Sequence, residues 1–264
     1  MPGTQVAAEL EVFLGEVTKA ERAVLLLDYD GTLAPFSPNH FSAYPYPGVR
    51  RALARIMGNG RTRVVVMSGR PAREVIRLLG VVPFPEIWGV HGLERLRTDG
   101  SCDAVPLGKP ELFTLAEARS SLEKLGLLSL AEFKTGSIAV HWRGRTADEI
   151  ASIRKQVRGA WTTVPALRRT VIQEFDGGIE IRAANRNKGD AVRTVLGELR
   201  GHVPVAYLGD DQTDEDAFRV LRGRGLGILV REEWRETKAD VWIKPPEELL
   251  AFLRGWLLAC GGTA

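Results

Sequence analysis

Four apolar residues in a row, Val24 to Leu27, run directly into Asp28, Tyr29, Asp30 and Gly31, and this junction limits what the chain can fold into. A short continuous apolar run reads as a strand buried on both faces, as in the middle of a parallel sheet. Acid at its carboxyl end then lies at the sheet edge where open α/β folds keep their ligands. Asp28 and Asp30 are two apart, so in a persisting strand they point the same way, and Gly31 lets the backbone turn sharply behind them. Alone, this stretch is an ordinary strand with an Asp-rich turn. Similar strand ends further along the chain give it weight.

The surrounding pattern is that of an α/β chain. Val6, Leu10, Phe13, Leu14 and Val17 recur at helical spacing over residues 5–20, which predicts an amphipathic helix ahead of the first strand. Residues 34–47 hold Pro35, Pro38, Pro45 and Pro47 among aromatics, so they read as a loop and a candidate flap over a site. A helix over 48–57 follows, then a strand over 62–67 that ends in Ser68-Gly69-Arg70-Pro71. Proline at a first helical position opens the next helix. A strand over 87–91 completes a β, α, β, α, β order, which argues for a parallel sheet with right-handed crossovers.

The pattern then changes. Short strands are expected at 102–105, 132–143, 168–174 and 178–182, with helices over 110–125 and 146–157 between them, an α+β module inserted into the α/β domain. The parallel pattern resumes with a helix over 188–199, strands at 203–208, 225–230 and 241–243, and a closing helix over 247–258. The expected fold is thus a Rossmann-like parallel-sheet core of residues 1–95 and 186–264, with residues 96–185 as an α+β cap. The two chain crossings suggest a hinge that closes the cap over substrate.

Composition bounds the partners. The 264 residues carry a formal charge of +3, which suits an anionic small molecule and falls short of a nucleic-acid signature. Cys102 and Cys260 are far apart and in no metal or redox spacing, so neither zinc nor a disulfide is expected, and a reducing cytoplasm is the simplest setting. No export signal is expected, and no membrane span, since no run of about 18 apolar residues occurs.

Four places fall at strand ends or helix starts of the α/β part: Asp28 with Asp30, Ser68, Lys188, and the run Gly209-Asp210-Asp211-Gln212-Thr213-Asp214-Glu215-Asp216. A parallel sheet gathers its strand ends on one edge, so distant carboxylates can meet there. Clustered acid of this kind calls for a cation, and hard oxygen ligands suit Mg2+. A carboxylate approaching a phosphate dianion at about 4 Å is repelled by roughly 8 kcal/mol at an effective dielectric near 20. The metal and Lys188 would cancel that repulsion, Asp28 would attack phosphorus, and Asp30 would act as acid and base. Ser68 and the amides around it would hold phosphoryl oxygens. Asp210 would complete the metal site, with Asp211 and Asp214 as direct or outlying ligands.

These motifs, in this order, resemble those of the haloacid-dehalogenase superfamily of phosphatases. More narrowly, Ser-Gly-Arg at 68–70, His-Gly-Leu-Glu at 91–94, Val-His-Trp-Arg at 140–143, Ile-Glu-Ile-Arg at 179–182, Asn-Lys-Gly at 187–189 and the acidic run at 209–216 resemble trehalose-6-phosphate phosphatases. The resemblance implies Asp28 as nucleophile, Asp30 as acid/base, and Mg2+ held by Asp28, Asp210 and the main-chain carbonyl of Asp30, with Asp211 a further candidate. It also implies substrate contacts from Tyr29, Gly69 and Arg70, and a functional link to a trehalose-phosphate synthase. Trp142 stands where Tyr or Phe is usual, and Asn39 and His40 interrupt the acidic stretch typical after Pro38.

For the sugar, the expected partners are His141, Arg143, Glu180 and Arg182 in the cap, with His91 and Glu94 near the hinge. Trp142 alternates away from 141 and 143 and is expected in the cap core. Rival readings are a phosphatase for sucrose 6-phosphate or for a mannosyl or glucosyl phosphoglycerate, the latter needing an extra base such as Arg95 or Arg186. A catalytically silent sugar-phosphate sensor is a further rival, though a sensor has no use for Asp30.

Overall fold

Strand β1, Ala23–Asp28, lies in the interior of an eight-stranded sheet, and its three leucines, Leu25, Leu26 and Leu27, are fully buried. The computed structural model describes residues 3–37, 42–164, 169–175, 177–184 and 186–263; Pro38, Asn39, His40 and Arg168 lie outside them. The chain divides into two compact units, Met1–Asp103 with Lys188–Ala264, and Ala104–Asn187.

In the first unit the sheet order is β12-β11-β10-β1-β2-β3-β4-β5. It is built from β1, β2 (Thr62–Met67), β3 (Glu86–Gly89), β4 (Glu94–Leu96), β5 (Cys102–Ala104), β10 (Val205–Gly209), β11 (Leu226–Val230) and β12 (Val241–Ile243). The pairs from β12 through to β3 are parallel, with Val24 opposite Val205 and Leu27 opposite Val66, and β4 turns back antiparallel on β3. Alternation along β1 sends Leu25, Leu27 and Tyr29 to one apolar layer and Val24 and Leu26 to the other. The first layer is closed by α1 (Gly3–Lys19), α2 (Val49–Gly58), α3 (Ala72–Leu79) and α8 (Glu247–Ala259), the second by α6 (Lys188–Glu198) and α7 (Glu215–Leu221). Truncating a leucine this buried costs about 2–5 kcal/mol.

The second unit is a four-stranded antiparallel sheet in the order β6-β7-β9-β8, covered on one face by α4 (Lys109–Lys124) and α5 (Ala147–Thr162). Its strands are β6 (Ala131–Lys134), β7 (Ser137–His141), β8 (Thr170–Phe175) and β9 (Gly178–Ala183). Ile138, Val140, Trp142, Ile179 and Ile181 meet Ala118, Leu122, Val157 and Trp161 in its core. Thr146 and Glu149 close a capping box at the start of α5.

Three elements differ from the sequence reading. The strand expected at 102–105 in the inserted module is β5 of the large sheet: a tight turn, with Arg97 and Ser101 hydrogen-bonded and Gly100 at φ 87°, folds it back beside β4. The single strand expected over 132–143 is a hairpin, with Lys134 opposite Ser137. The strand expected to reach His91 stops at Gly89, because Val90 and His91 adopt φ 47° and 54°, left-handed values that end a strand.

Among the described residues no helix is long and apolar enough to cross a membrane. Both cysteines are free thiols, Cys102 exposed and Cys260 buried.

Candidate active site

Asp28 has the same parity as Val24 and Leu26, so its carboxylate leaves β1 on the side that α6 covers. Lys188, in the first turn of α6, meets it there: Nζ lies 2.5 Å from Asp28 Oδ1 and 2.7 Å from Asp214 Oδ1, all three side chains buried. Burial alone pushes the lysine toward neutrality, but the two carboxylates outweigh it, and Lys188 is held above its ordinary range as a cation.

Three carboxylates, from Asp28, Asp210 and Asp214, offer ligand oxygens within 4.8 Å of one another. Burial, then the charge of Asp214, pushes Asp28 up to about 7 despite Lys188 alongside. Burial, then Asp28, pushes Asp210 well above the usual carboxylate range. Asp210 Oδ2 is buried with no hydrogen-bond partner, while Oδ1 lies 3.5 Å from the Thr32 hydroxyl, which also donates to Asp28 Oδ2 at 3.1 Å. An orphaned carboxylate oxygen among buried acids is a donor set of hard oxygens, and donors of this kind fit Mg2+. Gly31 makes the closeness possible: it sits at φ 85°, and a Cβ there would fall 2.1 Å from Asp210 Oδ2.

The acidic run divides its labour. Asp214, fully buried, accepts from Lys188 and from the Tyr207 hydroxyl at Oδ1, and from the amides of Asp210 and Asp211 at Oδ2. With both oxygens committed, it shapes the turn and holds Lys188. Asp211, expected as a metal ligand, is not among the three clustered acids; its carboxylate accepts from the Gln212 amide and caps the short helical turn that follows.

Asp30, half-buried, points its carboxylate into the guanidinium of Arg70, with Nε to Oδ2 at 2.6 Å and Nη2 to Oδ1 at 2.7 Å, and Arg70 also pairs with Glu74. Ser68, buried, directly follows β2, and its Oγ accepts from the Arg70 amide at 3.1 Å. The loop at 89–94 braces this turn: the Val90 and His91 amides donate to Arg70 and Ser68 carbonyls, and Glu94 accepts from the Ala72 amide at 3.0 Å, capping α3. His91 stacks over Gly69, where an added Cβ would lie 2.7 Å from its Nε2. Tyr29, expected to touch substrate, is instead a core residue. Its parity turns it away from the acids, and its hydroxyl donates to the Ala43 carbonyl at 2.8 Å.

In the second unit, strand register places Glu132, Lys134, Ser137, His141, Gln173, Glu180 and Arg182 on the sheet face opposite the two helices. Glu180 accepts from the Ser137 hydroxyl at 2.7 Å and from Lys134 at 3.4 Å, and Glu132 pairs with His141 at 2.9 Å. Arg182 donates to the Arg186 carbonyl at 3.0 Å. Arg143 lies just past β7 and covers Gly177. Trp142 is buried in the helix-covered core with Arg154 over its ring. Sequence reasoning missed Glu132 and Lys134, whose facing depends on hairpin register, and did not single out Thr32 or Tyr207.

A sequence profile of the trehalose-phosphatase family matches residues 26–241. A trehalose-phosphate phosphatase of Mycobacterium avium is 36% identical over 220 residues, 78% of this chain and 54% of that protein. A trehalose 6-phosphate phosphatase of Zea mays is 29% identical over 275 residues, 94% of this chain and 73% of its own length. The chain thus spans about half the length of the mycobacterial relatives it matches. Among solved structures, the C-terminal domain of a Candida albicans trehalose-6-phosphate phosphatase superposes with a TM-score of 0.82 at 21% identity, covering 96% of this chain and 97% of that one.

Proposed function

The chain belongs to the trehalose-phosphatase family, and from that premise we propose that it is a Mg2+-dependent phosphatase that hydrolyses trehalose 6-phosphate to trehalose and phosphate through an aspartyl-phosphate on Asp28. The observation that carries the reading is the meeting of Asp28, Lys188 and Asp210, with an Asp210 oxygen left buried and unpaired. The carboxylates of Asp28 and Asp210 and the main-chain carbonyl of Asp30 would hold the ion. When bound, Mg2+ supplies positive charge to the nucleophile and to the phosphoryl oxygens.

Asp28 contributes a carboxylate oxygen that forms a bond to phosphorus as the ester oxygen leaves with its electron pair. Asp30 gives that alkoxide a proton and later takes one from the water that cleaves the acyl phosphate. Lys188, fixed between Asp28 and Asp214, keeps a positive charge beside the reacting oxygens. The Ser68 turn offers a hydroxyl and backbone amides for phosphoryl oxygens. Glu180, Arg182, His141, Glu132 and Lys134 offer donors and acceptors for sugar hydroxyls from the polar face of the cap sheet. A link to a synthase that makes the phosphate ester belongs to the same reading.

Of the two basic residues a phosphoglycerate substrate could use, Arg95 and Arg186, Arg95 is committed to Glu86, Glu198 and the face of Trp88. Phosphate release across a panel of sugar phosphates with Mg2+, ranked by kcat/KM, tests the assignment. A higher value for sucrose 6-phosphate or a phosphoglycerate ester than for trehalose 6-phosphate would overturn the sugar.

A further inference from the structure

In the loop after β11, the side chain of Arg235 reaches the backbone of the acidic turn, although no recognisable motif surrounds it. Arg235, with 15% of its side chain exposed, donates from Nε to the Asp210 carbonyl at 3.0 Å and from Nη2 to the Asp211 carbonyl at 2.7 Å. Its Nη1 pairs with Glu215 at 2.5 Å and donates to the Glu236 carbonyl at 2.8 Å. On the amide side of the same two residues, Asp214 Oδ2 takes both N–H groups, at 3.1 and 3.0 Å. The turn is therefore gripped by a carboxylate at its N–H groups and by a guanidinium at its C=O groups.

A rigid fork on two successive carbonyls fixes both peptide planes, and hence the direction in which the Asp210 side chain departs. That direction has little room for error. Asp210 Oδ2 reaches so close to Gly31 that a Cβ there would lie 2.1 Å away. The same oxygen is the buried, unpartnered one.

We propose that Arg235 is a positioning residue of the cation site: by clamping the Asp210 and Asp211 carbonyls it aims the Asp210 carboxylate at the divalent ion. This rests on the reading that Asp28 and Asp210 share such an ion. Groups that orient a metal ligand without touching the metal typically govern affinity by about tenfold to a hundredfold.

The test is Mn2+ binding to the purified protein, followed by the electron paramagnetic resonance signal of free Mn2+. Arg235→Met should bind about tenfold to a hundredfold more weakly than wild type. Arg235→Lys, which cannot span both carbonyls as a fork, should fall between them, and supplies the reading if the methionine variant does not fold. Thr237→Val removes a loop bond to Glu215 at 2.8 Å without touching either carbonyl and should bind as wild type does. In activity, Arg235→Met should need more Mg2+ for half-activation while kcat at saturating Mg2+ returns close to wild type. Unchanged Mn2+ affinity in both Arg235 variants would overturn the proposal, as would an equal loss in Thr237→Val, which would trace the effect to loop order. Absence of binding by wild type, with Asp210→Asn equally silent, would overturn the cation site itself and this role with it.

Discussion

Arg70 forks over Asp30, with two hydrogen bonds of 2.6 and 2.7 Å between one guanidinium and one carboxylate. In this arrangement both oxygens of the proposed general acid are held by the guanidinium, and the side chain has to leave the fork to act on a leaving group. Asp30→Asn should therefore lower kcat on trehalose 6-phosphate by at least about a hundredfold. In kcat/KM, which reports only the steps through formation of the acyl phosphate, the same variant should lose much less on p-nitrophenyl phosphate, whose leaving group needs no proton. Equal losses on the two substrates would assign Asp30 a role other than acid catalysis.

Lys188 pairs with two buried carboxylates at once. Lys188→Met leaves them facing each other without a cation, and removing one partner of a buried ion pair costs about 3–5 kcal/mol. Denaturant unfolding at neutral pH in chelator should show that loss, and the deficit should shrink as pH falls below about 7 and Asp28 takes up its proton.

Asp28 is raised to about 7 in the folded, metal-free site. An unfolded chain releases that proton near pH 4, so between about 4 and 7 the folded state binds more protons than the unfolded one. Its contribution to stability is then complete below about pH 4 and is lost as pH rises through about 7. A bound cation favours the ionised carboxylate and reverses the trend. The rise in Tm on adding Mg2+ to chelated protein should be larger at pH 8 than at pH 5, and an equal rise at both would remove Asp28 from the ion's ligands.

Glu180, buried between Ser137 and Lys134, is proposed to meet sugar hydroxyls. Glu180→Gln keeps the shape and removes the charge. KM for trehalose 6-phosphate should rise by about tenfold, the worth of one charge-assisted hydrogen bond, with kcat/KM for p-nitrophenyl phosphate little changed.

Much of this was legible in the residues. The apolar run into Asp28 fixed β1 and its acid, because continuous burial and period-two alternation leave few other readings. Pro71 marked the start of α3 to within a residue. What was not legible depended on geometry that one chain segment does not encode. Asp211 and Asp214 look alike in sequence, but the short helical turn after Asp211 carries Asp214 back under the two amides and leaves Asp211 as the cap. Tyr29 was expected at the substrate from the resemblance, whereas its parity with Leu27 points it into the core. Glu132 and Lys134 meet Glu180 and His141 only because the hairpin register turns them to the same face. Arg235 reaches the acidic turn from the loop beyond β11, where no local pattern announces it.

The pairing of β1 with β10, Val24 beside Val205, has a consequence for how the chain is made. During synthesis the first strand emerges long before the neighbour that covers its edge, and everything between must be translated first. The inserted unit is contiguous, so its four strands and two helices can assemble as soon as they leave the ribosome. The large sheet, by contrast, closes late and through distant contacts, a slow step for any topology. Until residue 209 is made, one edge of this fully buried strand has no partner, and that interval is where a nascent chain of this design is most exposed to aggregation.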